Sequence, residues 1–150
     1  MNPSIKALHN LYERNLNKVL EELKSYNKGE NLYKINGEIT NSRANVSLHI
    51  CGNLRHFMGA MISGSGYIRQ RNDEFGLKNV KKSKMVYGIK QTKKLVLASL
   101  KEMREDKLEE IYSINVFGKE MTTQFFLIHL YGHLNYDLGQ INYQHILFDK

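Results

Sequence analysis

Apolar residues recur every three or four positions along most of the chain, which is the spacing of amphipathic α-helices. Asn2 and Pro3 supply a capping residue and a first-turn proline for the first such stretch. Asn27-Lys28-Gly29 supplies its stop. The pattern therefore predicts a first helix with apolar side chains at Ile5, Leu8, Tyr12, Leu16, Val19, Leu23 and Tyr26.

Three later stretches show the same periodicity. Ser42 is placed to cap a second helix, which Gly64-Ser65-Gly66 ends. A third helix is predicted from Ser83 to about Arg104, and a last one from Thr122 or Thr123 to about Leu147. Four amphipathic helices without a long strand predict an all-α protein built as a four-helix bundle.

Two polar stretches connect these helices. Tyr67 to Val80 is a charged connection that can lie over the mouth of the bundle. Its arginines either bind an anion or pair with Asp73 and Glu74, and we favour pairing. Glu105 to Glu120 is predicted to be a linker with a brief extended piece.

The last helix carries three polar side chains spaced four residues apart: His129, His133 and Asp137. Such residues stand one above another on a helix, about 6 Å apart. They share a stripe with apolar Phe126 and Leu130, so we expect the row to face the interior. An unsatisfied buried polar group costs about 1–3 kcal/mol, so these side chains need hydrogen-bond partners or a metal ion.

Two neighbouring residues of this row can bind one metal ion, and a catalytic site usually needs a third protein ligand. His49 is the candidate, because it lies on an apolar stripe in the middle of the second helix. Spacing leaves two pairings open, His129 with His133 and His133 with Asp137. Two imidazoles suit zinc or nickel, whereas an imidazole with a carboxylate suits zinc, iron or manganese. A hydrogen-bonded polar row without metal is the alternative.

Composition narrows the class of protein. The chain has 150 residues, 41% of them hydrophobic, which predicts a single domain over residues 1–150. No apolar run approaches the roughly 20 residues that cross a bilayer, and the N-terminus lacks a signal-peptide core, so we expect a cytoplasmic protein without a membrane partner. The net charge of +7 is densest around the third helix, where we expect a solvated surface. The lysines concerned are Lys78, Lys81, Lys82, Lys84, Lys90, Lys93 and Lys94.

Three phrases of the sequence resemble the DinB/YfiT-like superfamily of metal-dependent enzymes, and more narrowly an uncharacterised bacterial branch of it. They are Asn41-Ser-Arg-Ala-Asn45-Val-Ser-Leu-His49-Ile-Cys-Gly52-Asn53-Leu54-Arg55, Arg71-Asn-Asp-Glu74-Phe75 and His133-Leu-Asn-Tyr-Asp137-Leu-Gly139-Gln140-Ile-Asn-Tyr143. The resemblance runs from Asn41 to the C-terminus. It implies the four-helix bundle of that superfamily and a homodimer.

The resemblance also implies a divalent metal held by one histidine of the second helix and a His-x3-His before Gly-Gln on the last. Carried over, these positions are His49, His133 and Asp137, where this chain has aspartate instead of the usual histidine. We expect these three residues to bind the metal, with His129 behind them or as an alternative ligand. Zinc or nickel is the first expectation, and manganese or iron the second.

Characterised members of the superfamily include thiol-dependent transferases and isomerases that use bacillithiol or mycothiol. The resemblance thus implies an enzyme acting on a small-molecule substrate, with a low-molecular-weight thiol as co-substrate. A thiol-dependent S-transferase is the first hypothesis and a hydrolase the next, with Asn53 and Tyr136 as candidates to orient the substrate. The alternatives are a non-catalytic bundle with a degenerate metal site and a basic module for anions or nucleic acid. We consider nucleic acid the less favoured partner.

Overall fold

The computed structural model describes residues 1–25 and 32–148. Within them the chain is mainly helical, and the described part contains no β-strand, only one antiparallel bridge between Ile111 and Thr122. The all-α prediction is therefore confirmed. The five α-helices are α1 (Pro3–Lys24), α2 (Arg43–Leu54), α3 (Arg71–Gly76), α4 (Lys82–Glu102) and α5 (Thr123–Phe148). No helix within the described ranges combines the length and the apolar character that crossing a bilayer requires.

Three helices begin at the capping residues that the sequence predicts. The side chains of Asn2, Ser42 and Thr122 accept hydrogen bonds from first-turn backbone N–H groups at 2.8, 3.2 and 3.1 Å. These bonds satisfy donors that an α-helix leaves unpaired at its start. The stop that we predict for α1 at Asn27-Lys28-Gly29 lies outside the described residues.

α2 continues beyond Leu54 as a π-helical segment, Arg55–Ala60. The backbone N–H of Ser65 donates to the Gly59 carbonyl at 3.0 Å. Gly64 and Gly66 then adopt positive φ angles of 64° and 77°. Glycine enters this left-handed region without steric penalty, so Gly64-Ser65-Gly66 ends the second helix as predicted.

The core lies between α1, α2, α4 and α5, because α1 and α2 each pack against both α4 and α5. The Tyr12 hydroxyl donates to the Leu127 carbonyl at 2.7 Å and so ties α1 to α5. Burial of apolar side chains from all four helices provides most of the stabilisation. Representative buried residues are Leu16, Leu23, Ile50, Leu54, Ile89, Val96, Leu100, Phe126, Leu130 and Ile141.

The charged connection contains a helix that its sequence did not predict. α3 is six residues long, has no side-chain cap and packs against α2. The Asn45 amide, within α2, donates to the carbonyl oxygens of Glu74 at 2.9 Å and Leu77 at 2.8 Å. These contacts fix the C-terminal end of α3 on α2 and bring the Glu74 side chain beside His49.

The lysine-rich surface follows the predicted pattern. Met85, Ile89 and Val96 of α4 are buried, whereas the basic residues lie on its other sides. Five of the seven lysines noted above are exposed: Lys78, Lys81, Lys84, Lys90 and Lys94.

Candidate metal centre

His49 on α2 and His133 and Asp137 on α5 bring three candidate ligand atoms within 4.8 Å of one another. His49 Nε2 lies 2.8 Å from His133 Nε2. Asp137 Oδ2 lies 3.3 Å from His133 Nε2 and 4.0 Å from His49 Nε2. Two ligand atoms about 2.1 Å from one ion, at angles of about 90–110°, are about 3.0–3.4 Å apart. The 3.3 Å distance lies within that range, the 2.8 Å distance just below it and the 4.0 Å distance above it, so side-chain shifts of less than about 1 Å would let these residues hold a metal ion.

The Asp137 carboxyl group is the least satisfied part of the cluster. The residue is 3% exposed, and its Oδ2 has no hydrogen-bond partner among the described residues. Burial raises the pKa of Asp137 to about 6, while the neighbouring His49 acts in the opposite direction. A buried carboxylate oxygen without a hydrogen bond is unfavourable, and a cation shared with the two imidazoles would satisfy it. This oxygen is the observation that most directly fits a metal.

Glu74 orients His49. The Nδ1–H of His49 donates to Glu74 Oε1 at 3.0 Å, which leaves the Nε2 lone pair directed towards His133. Arg69 donates two further bonds to the Glu74 carboxylate, at 2.8 and 2.9 Å. Burial acts to raise the pKa of Glu74, but the hydrogen bonds from Arg69 and His49 outweigh burial and lower it. Glu74 is therefore an ionised carboxylate that fixes the His49 ring.

Gly52 makes room for this carboxylate. A Cβ atom at position 52 would overlap the Glu74 carboxyl group. Arg69 and His49 both hold that group, so it cannot move aside without losing hydrogen bonds. A glycine at this position in α2 is therefore required by the contact between Glu74 and His49.

The surroundings of His133 favour the neutral form of its imidazole. Burial lowers the pKa of His133, and the neighbouring His49, His129 and Arg69 lower it further. An imidazole with a lowered pKa is neutral near pH 7, which is the form that binds metal.

A cavity of about 400 Å³ opens onto His49 and His133. Asn53, one turn after His49 on α2, is 8% exposed, and its amide forms no hydrogen bond with a described residue. Arg71 also borders the cavity, with its guanidinium 5.3 Å from the centre of the Phe75 ring. The apolar part of the wall is formed by Phe57, Val116, Phe117, Phe126 and Leu130. The cavity thus combines an apolar wall with an unpaired amide and a cationic side.

His129 lies in this cavity wall and is not part of the three-residue cluster. Its side chain is exposed, and its ring centre is 4.6 Å from that of Phe117. The expectation that the whole row faces the interior is therefore wrong for His129. Burial increases along the row, from the exposed His129 through the half-buried His133 to the buried Asp137. Only His133 and Asp137 face His49 of α2.

The two substrate-orienting candidates occupy different surroundings. Asn53 lines the cavity, whereas Tyr136 is 69% exposed and is not among the residues of the cavity wall. The sequence missed the parts that Glu74 and Gly52 have in the site. It did predict that the arginines of the connection pair with its acidic residues, and this is confirmed for Arg69 and Glu74. The predicted ion pair was the one sequence signal that involved Glu74. The spacing of residues along the chain did not indicate that Glu74 contacts His49.

Comparison with protein-family models places the described helices in a family. The model described as "Protein of unknown function (DUF1572)" matches residues 3–148 and so includes all five helices and the candidate metal centre. No curated protein matches the chain.

Proposed function

The chain belongs to the DUF1572 family of proteins of unknown function, and we propose that it is a metal-dependent enzyme acting on a small molecule. The observation that carries the proposal is the buried Asp137 Oδ2, which has no hydrogen bond to a described residue and lies 3.3 Å from His133 Nε2 and 4.0 Å from His49 Nε2. Its contacts with the two imidazoles are at ion-pair distances without a hydrogen bond, and a cation bound between the three groups would satisfy this oxygen.

In this proposal His49, His133 and Asp137 hold the ion. Their donor set suits zinc or nickel first, and manganese or iron next. A divalent ion with three protein ligands supplies Lewis acidity and an open coordination position for a water or a substrate atom. Glu74, held by Arg69, keeps the His49 ring in the orientation that binding requires.

The residues that line the cavity indicate which kind of substrate would fit it. Its aromatic and aliphatic wall suits the apolar body of a small molecule, and the Asn53 amide can hydrogen-bond an oxygen or nitrogen of that molecule. Arg71, which also lines the cavity, favours a negatively charged group on the substrate. We therefore propose a substrate with an apolar body and a polar or anionic group that reaches the candidate metal centre.

The more specific proposal is a DinB/YfiT-like four-helix bundle, forming one domain over residues 1–150, with thiol-dependent S-transferase activity. Its support is the packing of α1 and α2 against α4 and α5, and the presence of His49 on α2 and His133 on α5, as the resemblance implies. A low-molecular-weight thiol that loses its proton carries a negative charge, which Arg71 beside the cavity favours. Hydrolysis of a small molecule is the alternative reaction.

Metal content tests the proposal. Protein purified without added metal is analysed for elements, then stripped with a chelator and titrated with Zn²⁺, Ni²⁺ or Mn²⁺ while Tm is followed. We expect about one ion per chain and a rise in Tm, both lost in Asp137→Ala and retained in Asp73→Ala, which removes an exposed carboxylate from α3. Absence of stoichiometric metal together with an unchanged Tm for every ion would overturn the proposal.

The reaction class is tested on the metal-loaded protein with small electrophiles and esters that have apolar bodies. Consumption of an electrophile only when a low-molecular-weight thiol is added supports the S-transferase. Ester cleavage that does not depend on the thiol supports the hydrolase instead. Asn53→Ala should raise KM for the active substrate more than Tyr136→Ala does.

A further inference from the structure

The face of α5 that points away from α1 and α2 carries an apolar stripe along its whole length. Six large apolar side chains on it are between 52% and 71% exposed: Phe125, Ile128, Tyr136, Tyr143, Ile146 and Leu147. Gly132 and Gly139 lie on the same stripe. The opposite side of α5 is apolar as well, because it enters the core. A helix that is apolar on nearly all sides is normally covered on all sides.

Charge limits what can cover this stripe. α5 contains no Lys, Arg or Glu, and its one aspartate, Asp137, is buried. The chain as a whole has a strong positive excess, with 22 Lys and Arg against 15 Asp and Glu. Two copies that met through the lysine-rich surface would bring like charges together. The α5 stripe is an uncharged surface through which two copies can meet.

The stripe is also symmetric about its midpoint, which lies between Asn135 and Tyr136. Equally distant from that point are three pairs of positions: Gly132 with Gly139, Ile128 with Tyr143, and Phe125 with Ile146. When two antiparallel helices pair about a twofold axis, each residue meets the one equally distant on the other side. Glycine would then face glycine, and each large side chain would face another large side chain.

The two glycines have no explanation within the chain. A Cβ atom at position 132 or 139 would find no other described atom within 4 Å of it, beyond the neighbouring residues and the helix's own backbone. Alanine at such a helical position is more stable than glycine by about 0.5–1 kcal/mol. Glycine at both positions would allow a second helix to approach the α5 backbone closely, because glycine has no Cβ atom.

We propose that two copies of the chain associate through this stripe, antiparallel about a twofold axis, with Gly132 of one copy against Gly139 of the partner subunit. The six large side chains expose about 600–700 Å² in each copy, taking about 150–250 Å² for a large side chain. The pair would then bury about 1,200–1,400 Å² in total, an area found in stable complexes. Tyrosine and phenylalanine, which this stripe is rich in, are favoured at protein interfaces.

The association state tests the surface. In sedimentation equilibrium of the full chain at micromolar concentrations we expect a dimer, and Tyr143→Glu should raise its dissociation constant at least about tenfold. Tyr87→Glu is the matched control, because Tyr87 is 64% exposed but lies on α4. It should leave the dimer intact. A wild-type chain that stays monomeric, or an equal loss in both variants, would overturn the proposal.

Cysteine cross-linking tests the register. In a Cys51→Ser background, Gly132→Cys and Gly139→Cys chains are mixed and oxidised. We expect cross-linked dimers that contain one chain of each kind. Two copies of position 132 would lie about 10 Å apart along the helix axis, beyond the reach of a disulfide, so Gly132→Cys alone should not cross-link. Cross-links between like chains, or none at all in the mixture, would overturn the antiparallel arrangement.

Discussion

The two faces of α5 leave different requirements unmet. Its inner face buries a carboxylate oxygen without a hydrogen bond, at Asp137. Its outer face leaves large apolar side chains such as Tyr143 exposed to water. A cation relieves the first, and only an apolar surface relieves the second. One helix therefore points to two missing components of different chemistry, an ion on the inside and a second chain on the outside.

The two faces of α5 also differ in how far they depend on residues outside the helix. The inner site depends on residues from other parts of the chain, since Glu74 and Arg69 fix the His49 ring from α3 and the segment before it. The outer stripe has few such supports, and its symmetry lies within α5 alone. Substitutions on the inner face should therefore leave dimerisation unchanged, and substitutions on the outer face should leave metal binding unchanged.

Removing a ligand should have the largest effect. His133→Ala should lower metal affinity by more than about 100-fold. Loss of a residue that only hydrogen-bonds a metal ligand already lowers affinity by about 10–100-fold, and loss of the ligand itself should cost more. Calorimetric titration of the metal-free protein measures this affinity, and sedimentation should show an unchanged dimer. His129→Ala is the matched control, one turn earlier on the exposed part of the row. If His129→Ala lost metal as strongly as His133→Ala, the pairing of His129 with His133 would be the correct one.

Asp137→Asn should stabilise the metal-free protein at neutral pH. The pKa of Asp137 is raised from 3.8 to about 6 in the folded chain, so the folded state binds a proton more tightly than the unfolded state. The stability of the metal-free wild type should then fall as pH rises from about 4 to 6 and stay lower above that range, by at most about 3 kcal/mol.

The variant lacks this group and should show a smaller fall. Urea unfolding of both proteins after chelation, between pH 4 and 8, measures the difference. At the same time Asp137→Asn should lose most of the stabilisation that added metal provides. A wild type whose stability relative to the variant rises between pH 4 and 6 would contradict the prediction.

Much of the fold was accessible from the sequence because its signals are local. Caps such as Ser42 and the three-and-four spacing of apolar residues specify where the long helices begin and end. α3 was not accessible, because it is stabilised by Asn45, which lies about 30 positions earlier and bonds to carbonyl groups at its end. Sequence periodicity does not report such contacts.

The sequence likewise indicated one part of the candidate site and not the other. Spacing along one helix predicts the row of His129, His133 and Asp137 but leaves the pairing open, and the resemblance is what favours His133 with Asp137. The support from Glu74 was not predicted, because the bond between Glu74 and His49 joins two elements through a polar connection. We also described the last helix as amphipathic, whereas the structure leaves apolar residues exposed on its outer face. Periodicity alone did not separate the side that enters the core from the side that remains exposed.

Glu74→Gln should weaken metal binding by about 10–100-fold without removing any ligand. Glutamine keeps an oxygen that can accept the His49 Nδ1–H, but it loses the negative charge that stabilises this orientation and pairs with Arg69. Titration of the metal-free protein measures the loss. Asp73→Asn, the same change of charge on an exposed residue of α3, should have little effect. Equal losses in the two variants would mean that general charge, and not the contact with His49, sets the affinity.

The smallest effect should come from Gly139→Ala on the outer face, and it has two parts of opposite sign. The added methyl group should raise the dissociation constant of the dimer about tenfold, because a tightly packed contact that receives an extra carbon loses about 1–3 kcal/mol. In the dilute monomer the same change should stabilise the chain by about 0.5–1 kcal/mol through helix propensity.

Sedimentation at several concentrations and urea unfolding at low concentration separate the two parts of this effect. Gly88→Ala on α4 is the control, because a Cβ atom there would make only an ordinary contact of 3.6 Å with Cys51. It should change neither dimerisation nor metal affinity. Gly139→Ala should likewise bind metal as the wild type does, since the stripe and the candidate metal centre lie on different faces of α5. A Gly139→Ala chain that dimerises as tightly as the wild type would show that no partner backbone approaches this glycine.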